Sequence, residues 1–202
     1  MTVSTRINST LRSVPIWVVY IVCMLPAPWL FYLGLTGGLG VEPIEALEHR
    51  YGELALQFLI AGLAVTPLRQ FTGVNLLRFR RAIGVITFYY VMCHLLVWLF
   101  LDVQIWSQIW ADIVKRPYVT IGMAGFVALL PLAVTSNDWS LRKLGAARWR
   151  SLHKLVYPAA ILGGLHFVWL AKGFQLEPLL YMGAIVGLLA LRLPKRRQRA
   201  AL

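Results

Sequence analysis

The sequence predicts an all-α integral membrane protein, a six-transmembrane-helix bundle with both N and C termini cytoplasmic. Three observations predict it. Of 202 residues, 59% are hydrophobic and 14% charged, and the mean hydropathy is +0.68, whereas a soluble domain is about 45–50% apolar and about 25% charged. Six apolar runs of about 16–22 residues punctuate the chain, each near the length that crosses a hydrocarbon core of about 30 Å. Basic residues gather on alternate connections between those runs. This composition excludes a disordered chain, an ordinary soluble enzyme and a nucleic-acid-binding domain.

The runs cover residues 14–35, 52–67, 82–101, 118–136, 155–171 and 178–193. They are continuously apolar rather than alternating, which argues against strands of a membrane barrel. The first is too long for the core of a signal peptide and no small-residue cleavage pattern follows it, so it reads as a span. A cytoplasmic N-terminus at 1–13, a transmembrane domain at 14–193 and a basic cytoplasmic tail at 194–202 follow from this division. The short loops leave no room for a soluble catalytic domain, so function is expected within the membrane or at its rims.

Orientation comes from charge. With the N-terminus on one side, that side collects Arg6, Arg12, Arg69, Arg78, Arg80, Arg81, Arg142, Lys143, Arg148, Arg150, Lys154, Arg192, Lys195, Arg196, Arg197 and Arg199. The other side holds Arg50, Lys115, Arg116 and Lys172, and seven of the eight acids, Asp138 being the exception. Sixteen basic residues against four make the first side cytoplasmic and require an even number of spans. The net charge of +12 therefore needs no anionic partner beyond membrane lipid. Most of the eight tryptophans fall near span ends, as interface anchors do. Cys23 and Cys93 form no CxxC pair and no disulfide framework.

Polar residues inside spans are costly and mark function first. The candidates are Gln57, His94, His153 and His166, with no Asp, Glu, Lys or Arg buried among them to build a transport path. His94 lies 13 residues after Arg81 and His166 lies 16 after Arg150, roughly 20 and 24 Å along helices that run in the same direction. The two imidazoles thus sit at similar depth in the outer half of the bilayer. Facing histidines from separate helices suit the two axial positions of a haem iron. A pair without a third ligand suits zinc or copper poorly, and the absence of CxxCH makes any haem b-type. The competing reading of each residue alone is a packed imidazole bonded to a backbone carbonyl.

His153, near the cytoplasmic edge, is the less certain ligand. Thirteen helical residues from His166 leave about 220° of rotation, so the two face different ways. The third run offers no second histidine to pair with it. It is expected to ligate through an unusual partner, touch a propionate, or contact a second cofactor such as a flavin or quinone. Arg78, Arg80 and Arg81 are candidates for a haem propionate, a flavin phosphate or a lipid headgroup. His49, among Glu42, Glu45 and Glu48, reads as a solvated loop residue, and the acidic stretch 42–53 as a partner-docking surface. Gly37-Gly38 and Gly163-Gly164 read as turn and close-packing features.

Several motifs recur in an order that is familiar over nearly the whole chain. They are Gly37-Gly38-Leu39-Gly40 with Pro43, Thr66-Pro67-Leu68, Arg80-Arg81 with Gly84, His94-Leu95, Arg116-Pro117-Tyr118 and Thr135-Ser136. The strongest stretch is Leu144-Gly145, Trp149, Leu152-His153, Val156-Tyr157 and His166. On these the chain resembles the ferric reductase-like transmembrane superfamily, in its branch of haem-binding subunits of bacterial methionine sulfoxide reductase systems. The resemblance implies a membrane electron-transfer subunit carrying haem b and FMN, with His94, His153 and His166 matching the family histidines. It implies electrons from the quinone pool or a cytoplasmic flavin reductase. The acceptor it implies is a periplasmic molybdenum-cofactor reductase, MsrP, which repairs oxidised methionine in envelope proteins and would hold the terminal catalysis. The location would be the bacterial inner membrane.

This sequence departs from the superfamily's oxidases by carrying one histidine, not two, in the third run. These 202 residues also hold no flavin- and nicotinamide-binding domain, so a quinol or a donor protein is needed. Two other readings stay open: a stand-alone ferric or quinol oxidoreductase, and a non-redox scaffold or transporter.

Overall fold

The computed structural model describes residues 3–171 and 175–192; Lys172 and the basic tail at 194–202 lie outside them. Among the described residues every regular element is helical. In chain order these are α1 (Val3–Ser13), α2 (Ile16–Met24), α3 (Pro26–Leu35), α4 (Pro43–Thr72), α5 (Arg80–Val97), α6 (Trp106–Lys115), α7 (Pro117–Val134), α8 (Asp138–Leu144), α9 (Ala146–Leu152), α10 (Val156–Leu170) and α11 (Leu176–Ala190). A π-helical turn, Trp98–Val103, extends α5.

In their described residues, all six apolar runs are mainly helical. Among the described residues, four stretches are long and apolar enough to cross a membrane: Ile16–Leu35, Pro43–Thr72, Leu77–Val103 and Pro117–Val134. The helices of the last two runs, α10 and α11, have 15 residues each, about 22 Å of rise. Their outward faces are as apolar as their cores. Val22, Leu25, Trp29, Val127, Val134, Leu180 and Val186 are all exposed, a surface suited to lipid rather than water.

α4 is the central element. Its N-terminal half packs Leu47, Tyr51 and Ala55 against Ile86, Tyr90 and Val97 of α5 and Ala27 of α3. Its C-terminal half turns Leu56, Leu59 and Leu63 toward Ala160 of α10 and Ile185 of α11. The sequence expectation began this span at residue 52; the helix starts at Pro43, nine residues earlier. Proline is favoured in a first helical turn, where its missing N–H has no role, and Glu45 there complements the helix dipole. Gly73, at φ 74°, ends the helix in a left-handed turn that an L side chain would strain.

Prolines divide the first span into α2 and α3, and two tyrosines from neighbouring helices fasten it. The Tyr51 hydroxyl donates to the Ala27 carbonyl at 2.7 Å, and the Tyr90 hydroxyl to the Cys23 carbonyl at 2.7 Å. On the other side of the bundle, α7 and α10 approach closely, with the Cα of Gly125 facing Leu162 and the backbone of Gly163.

Four elements were not expected from sequence. α1 is held by Asn8, which donates to the Gly73 carbonyl and accepts from the Asn75 N–H. α6 is amphipathic: Trp106, Trp110 and Val114, one turn apart, are exposed, while Ile109 is buried. α8 and α9 fill the Arg-rich connection after α7. Asn137 starts α8 as its N-cap, its side chain accepting from the Ser140 N–H at 2.8 Å.

Candidate functional site

α5 and α10 bring His94 and His166 together. Their ring centres are 6.1 Å apart and their planes cross at 78°. Each imidazole is tied from behind. His94 Nδ1 lies 2.9 Å from the Glu48 carbonyl of α4, and His166 Nδ1 lies 2.7 Å from the Tyr118 carbonyl of α7. A carbonyl oxygen only accepts, so both Nδ1 atoms donate and carry the ring hydrogen. Both Nε2 atoms are then left with a free lone pair, the tautomer a metal-bound imidazole needs.

The local sequence explains these tethers. Pro117 opens α7 at its first position, which sets Tyr118 in the first turn, one turn before Gly122. In α4 the same arrangement appears as Glu48 and Gly52. Neither glycine was singled out from sequence, although the Arg116-Pro117-Tyr118 motif marks one of the two turns. Among the described residues, no group of three or more His, Cys, Asp or Glu side chains could hold a metal ion. The pair stands as two nitrogens and nothing more.

His153 is not part of this pair. It starts a 3₁₀ turn, His153–Leu155, between α9 and α10. Its ring stacks on Trp149 with centres 3.7 Å apart. Its Nδ1 donates to the Trp149 carbonyl at 3.0 Å, and its Nε2 lies 3.5 Å from the Ser136 hydroxyl. Trp149 Nε1 donates to the Thr135 carbonyl at 2.8 Å. The Thr135-Ser136 and Trp149–His153 motifs thus meet at the Arg-rich end of the bundle.

The three arginines divide. Arg78 donates to the Leu11 and Arg12 carbonyls at the end of α1, Arg81 binds Asp138 at 2.6 Å, and Arg80 is exposed. The Arg81 hydrogen bond and charge hold the Asp138 carboxyl below its usual value. Stability from this pair is therefore present above the ordinary carboxylate value of about 3.9 and is lost as pH falls through the lower folded value. We expect Asp138→Asn to lower the melting temperature slightly and evenly from pH 5 to 8. The gap to the parent should close on further acidification, as followed by thermal unfolding in detergent.

Two expectations change. His49 is not in a loop: it lies within α4, 3.1 Å from Glu53 and tilted against Phe167, because the helix begins before it. Most of the acidic stretch is helical for the same reason, and Glu53, bound by both His49 and Arg50, is nearly buried. Gln57 donates to the Tyr181 hydroxyl of α11 at 2.7 Å, a helix-to-helix tie.

Comparison with known proteins agrees with this architecture. Residues 50–164 match the family of the ferric reductase like transmembrane component. The segment runs from α4 to α10 and includes His94 and His153, with His166 two residues beyond its end. A protein of Agrobacterium fabrum described as the protein-methionine-sulfoxide reductase heme-binding subunit MsrQ is 52% identical, over 88% of this chain and 83% of its own length. Proteins of the same description from Brucella anthropi and Brucella ovis are 49% and 48% identical, over 91% and 89% of this chain and 84% and 82% of theirs. This chain belongs to the MsrQ family of ferric reductase-like membrane proteins. No solved structure matches it. The helices α4, α5, α7 and α10 that carry the crossed histidine pair and its two tethers all overlap the family segment, with Glu48 and His166 two residues outside its ends.

Proposed function

We propose that this protein is a b-type cytochrome of the bacterial inner membrane, with six spans and both termini cytoplasmic. It would pass electrons outward to a periplasmic molybdenum-cofactor reductase of the MsrP kind, which reduces methionine sulfoxide in envelope proteins. The observation that carries this reading is the His94–His166 pair. One metal ion held between two imidazole nitrogens would need ring centres about 6 Å apart, and the observed separation is 6.1 Å. His94 and His166 would hold haem iron through Nε2, and the iron's ferric–ferrous cycle would supply the one-electron chemistry.

The remaining residues serve that role. The Glu48 and Tyr118 carbonyls raise the basicity of the two imidazoles and fix their orientation. The packed apolar faces of α4, α5, α7 and α10 exclude water. His153, Arg80 and Arg81, at the Arg-rich end, would serve the donor side. There a quinol or a cytoplasmic flavin reductase would deliver electrons, with FMN as the family's second cofactor. Relatives described as subunits of a methionine sulfoxide reductase favour this reading over a stand-alone ferric or quinol oxidoreductase.

The test is to reduce the purified protein anaerobically and mix it with the partner reductase and methionine sulfoxide. We expect reoxidation that requires both additions. Glu42→Lys with Glu45→Lys, at the acidic end, should slow it severalfold. Reoxidation at the same rate without the partner would contradict the reading.

A further inference from the structure

We propose that Gly52 and Gly122 are positioning residues that hold the His94 and His166 imidazoles crossed. The proposal rests on the reading above that both rings bind one haem iron. The same device is built twice, on two helices without common sequence around it. A carbonyl at one position, Glu48 or Tyr118, accepts from the histidine Nδ1–H. The residue four positions on, Gly52 or Gly122, lies beneath the same ring.

The coincidence has a geometric cause. A helical carbonyl points along the axis toward the residue four further on, whose N–H it already accepts. A side chain from another helix reaches that carbonyl only by lying against the Cα of that residue. A Cβ at position 122 would stand 2.8 Å from His166 Nδ1 and 3.0 Å from Cε1, closer than a Cβ packs against a neighbouring atom, so the ring would have to shift. A Cβ at position 52 would stand 3.3 Å from His94 Nδ1 and 3.5 Å from Cε1, tight enough to push the ring by a few tenths of an ångström.

With its Nδ1–H bound and one edge against a glycine, neither ring turns freely about its Nε2 direction. The 78° crossing is then built into α4 and α7 rather than chosen by the ligands. Crossed imidazoles leave two iron d orbitals nearly equal in energy. A ferric low-spin centre so held has a very anisotropic electron paramagnetic resonance signal, while parallel rings give a compact one.

The experiment records that signal, with haem content and the optical spectrum, on the purified wild type and on Gly122→Ala, Gly52→Ala and Gly84→Ala. Gly84 is the control, since a Cβ there meets nothing within 4 Å and it shares α5 with His94. We expect a strongly anisotropic signal in the wild type, unchanged in Gly84→Ala. Its largest g value should fall in Gly52→Ala with haem retained. Gly122→Ala should show the larger change, with haem affinity down about 10- to 100-fold, as when a ligand loses its hydrogen bond. If Gly122→Ala retains no haem, Gly52→Ala carries the decision. A haem-loaded Gly52→Ala with the wild-type signal overturns the proposal, as does an equal change in Gly84→Ala. A wild type without bis-imidazole haem defeats the cytochrome reading itself, and is a separate result.

Discussion

Replacing His94 or His166 by alanine is expected to remove the low-spin b-type spectrum from the purified protein. Each imidazole would supply one of only two protein bonds to the iron, so affinity should fall by at least the order of 10- to 100-fold that follows loss of a ligand's hydrogen bond. The rings lie between packed helices, so each alanine also leaves a cavity of imidazole shape. Free imidazole in the buffer should enter it and restore a six-coordinate spectrum. That rescue separates ligation from collapse of the fold, which no small molecule would repair. His153→Ala should leave the spectrum of the pair in place, because His153 packs on Trp149 and Ser136 instead. Equal loss of haem in all three variants, without rescue, would contradict this assignment.

The second large effect lies far from the pair. Pro67 sits inside α4 and has no N–H, so the Leu63 carbonyl one turn earlier lacks its helical donor. Arg192, at the end of α11, supplies one. Its Nη2 donates to the Leu63 carbonyl and also lies 3.4 Å from the Gly62 carbonyl. Its Nη1 lies 3.3 Å from the Tyr157 hydroxyl, and the guanidinium stands over that ring. The sequence reading counted Arg192 only as one positive charge among sixteen; the fold uses its donors to fill the hydrogen bond that Pro67 removes from α4. Arg192→Leu keeps the stem but leaves a buried acceptor unsatisfied, at a cost of about 1–3 kcal/mol. We expect a clear drop in the melting temperature in detergent, smaller for Arg192→Lys, which keeps one donor. A leucine variant as stable as the parent would show that water or lipid satisfies the carbonyl equally well.

The contrast between these two sites shows what a sequence reveals. His94 and His166 were legible because burying imidazole in apolar runs is costly and their distances from basic clusters set their depth. That the apolar runs lie in helices was legible for a similar reason, since a long run of continuously apolar residues suits a helix better than an alternating strand. Gly52 and Gly122 were not legible, because a glycine in a span signals close approach without saying what approaches. Nor was the clasp of Arg192 on α4, since nothing local pairs position 192 with position 63. Trp106 and Trp110 were read as interface anchors, and the amphipathic α6 that carries them was not foreseen.

The central claim is that the crossed pair holds haem, and a dithionite-reduced minus air-oxidised optical spectrum of the detergent-purified wild type tests it most directly. The account predicts the sharp bands of a six-coordinate b-type cytochrome, with iron stoichiometric with at least one haem per chain. A colourless protein that stays colourless after haem is supplied during expression would contradict it, and would leave His94 and His166 as two packed imidazoles bonded to the Glu48 and Tyr118 carbonyls.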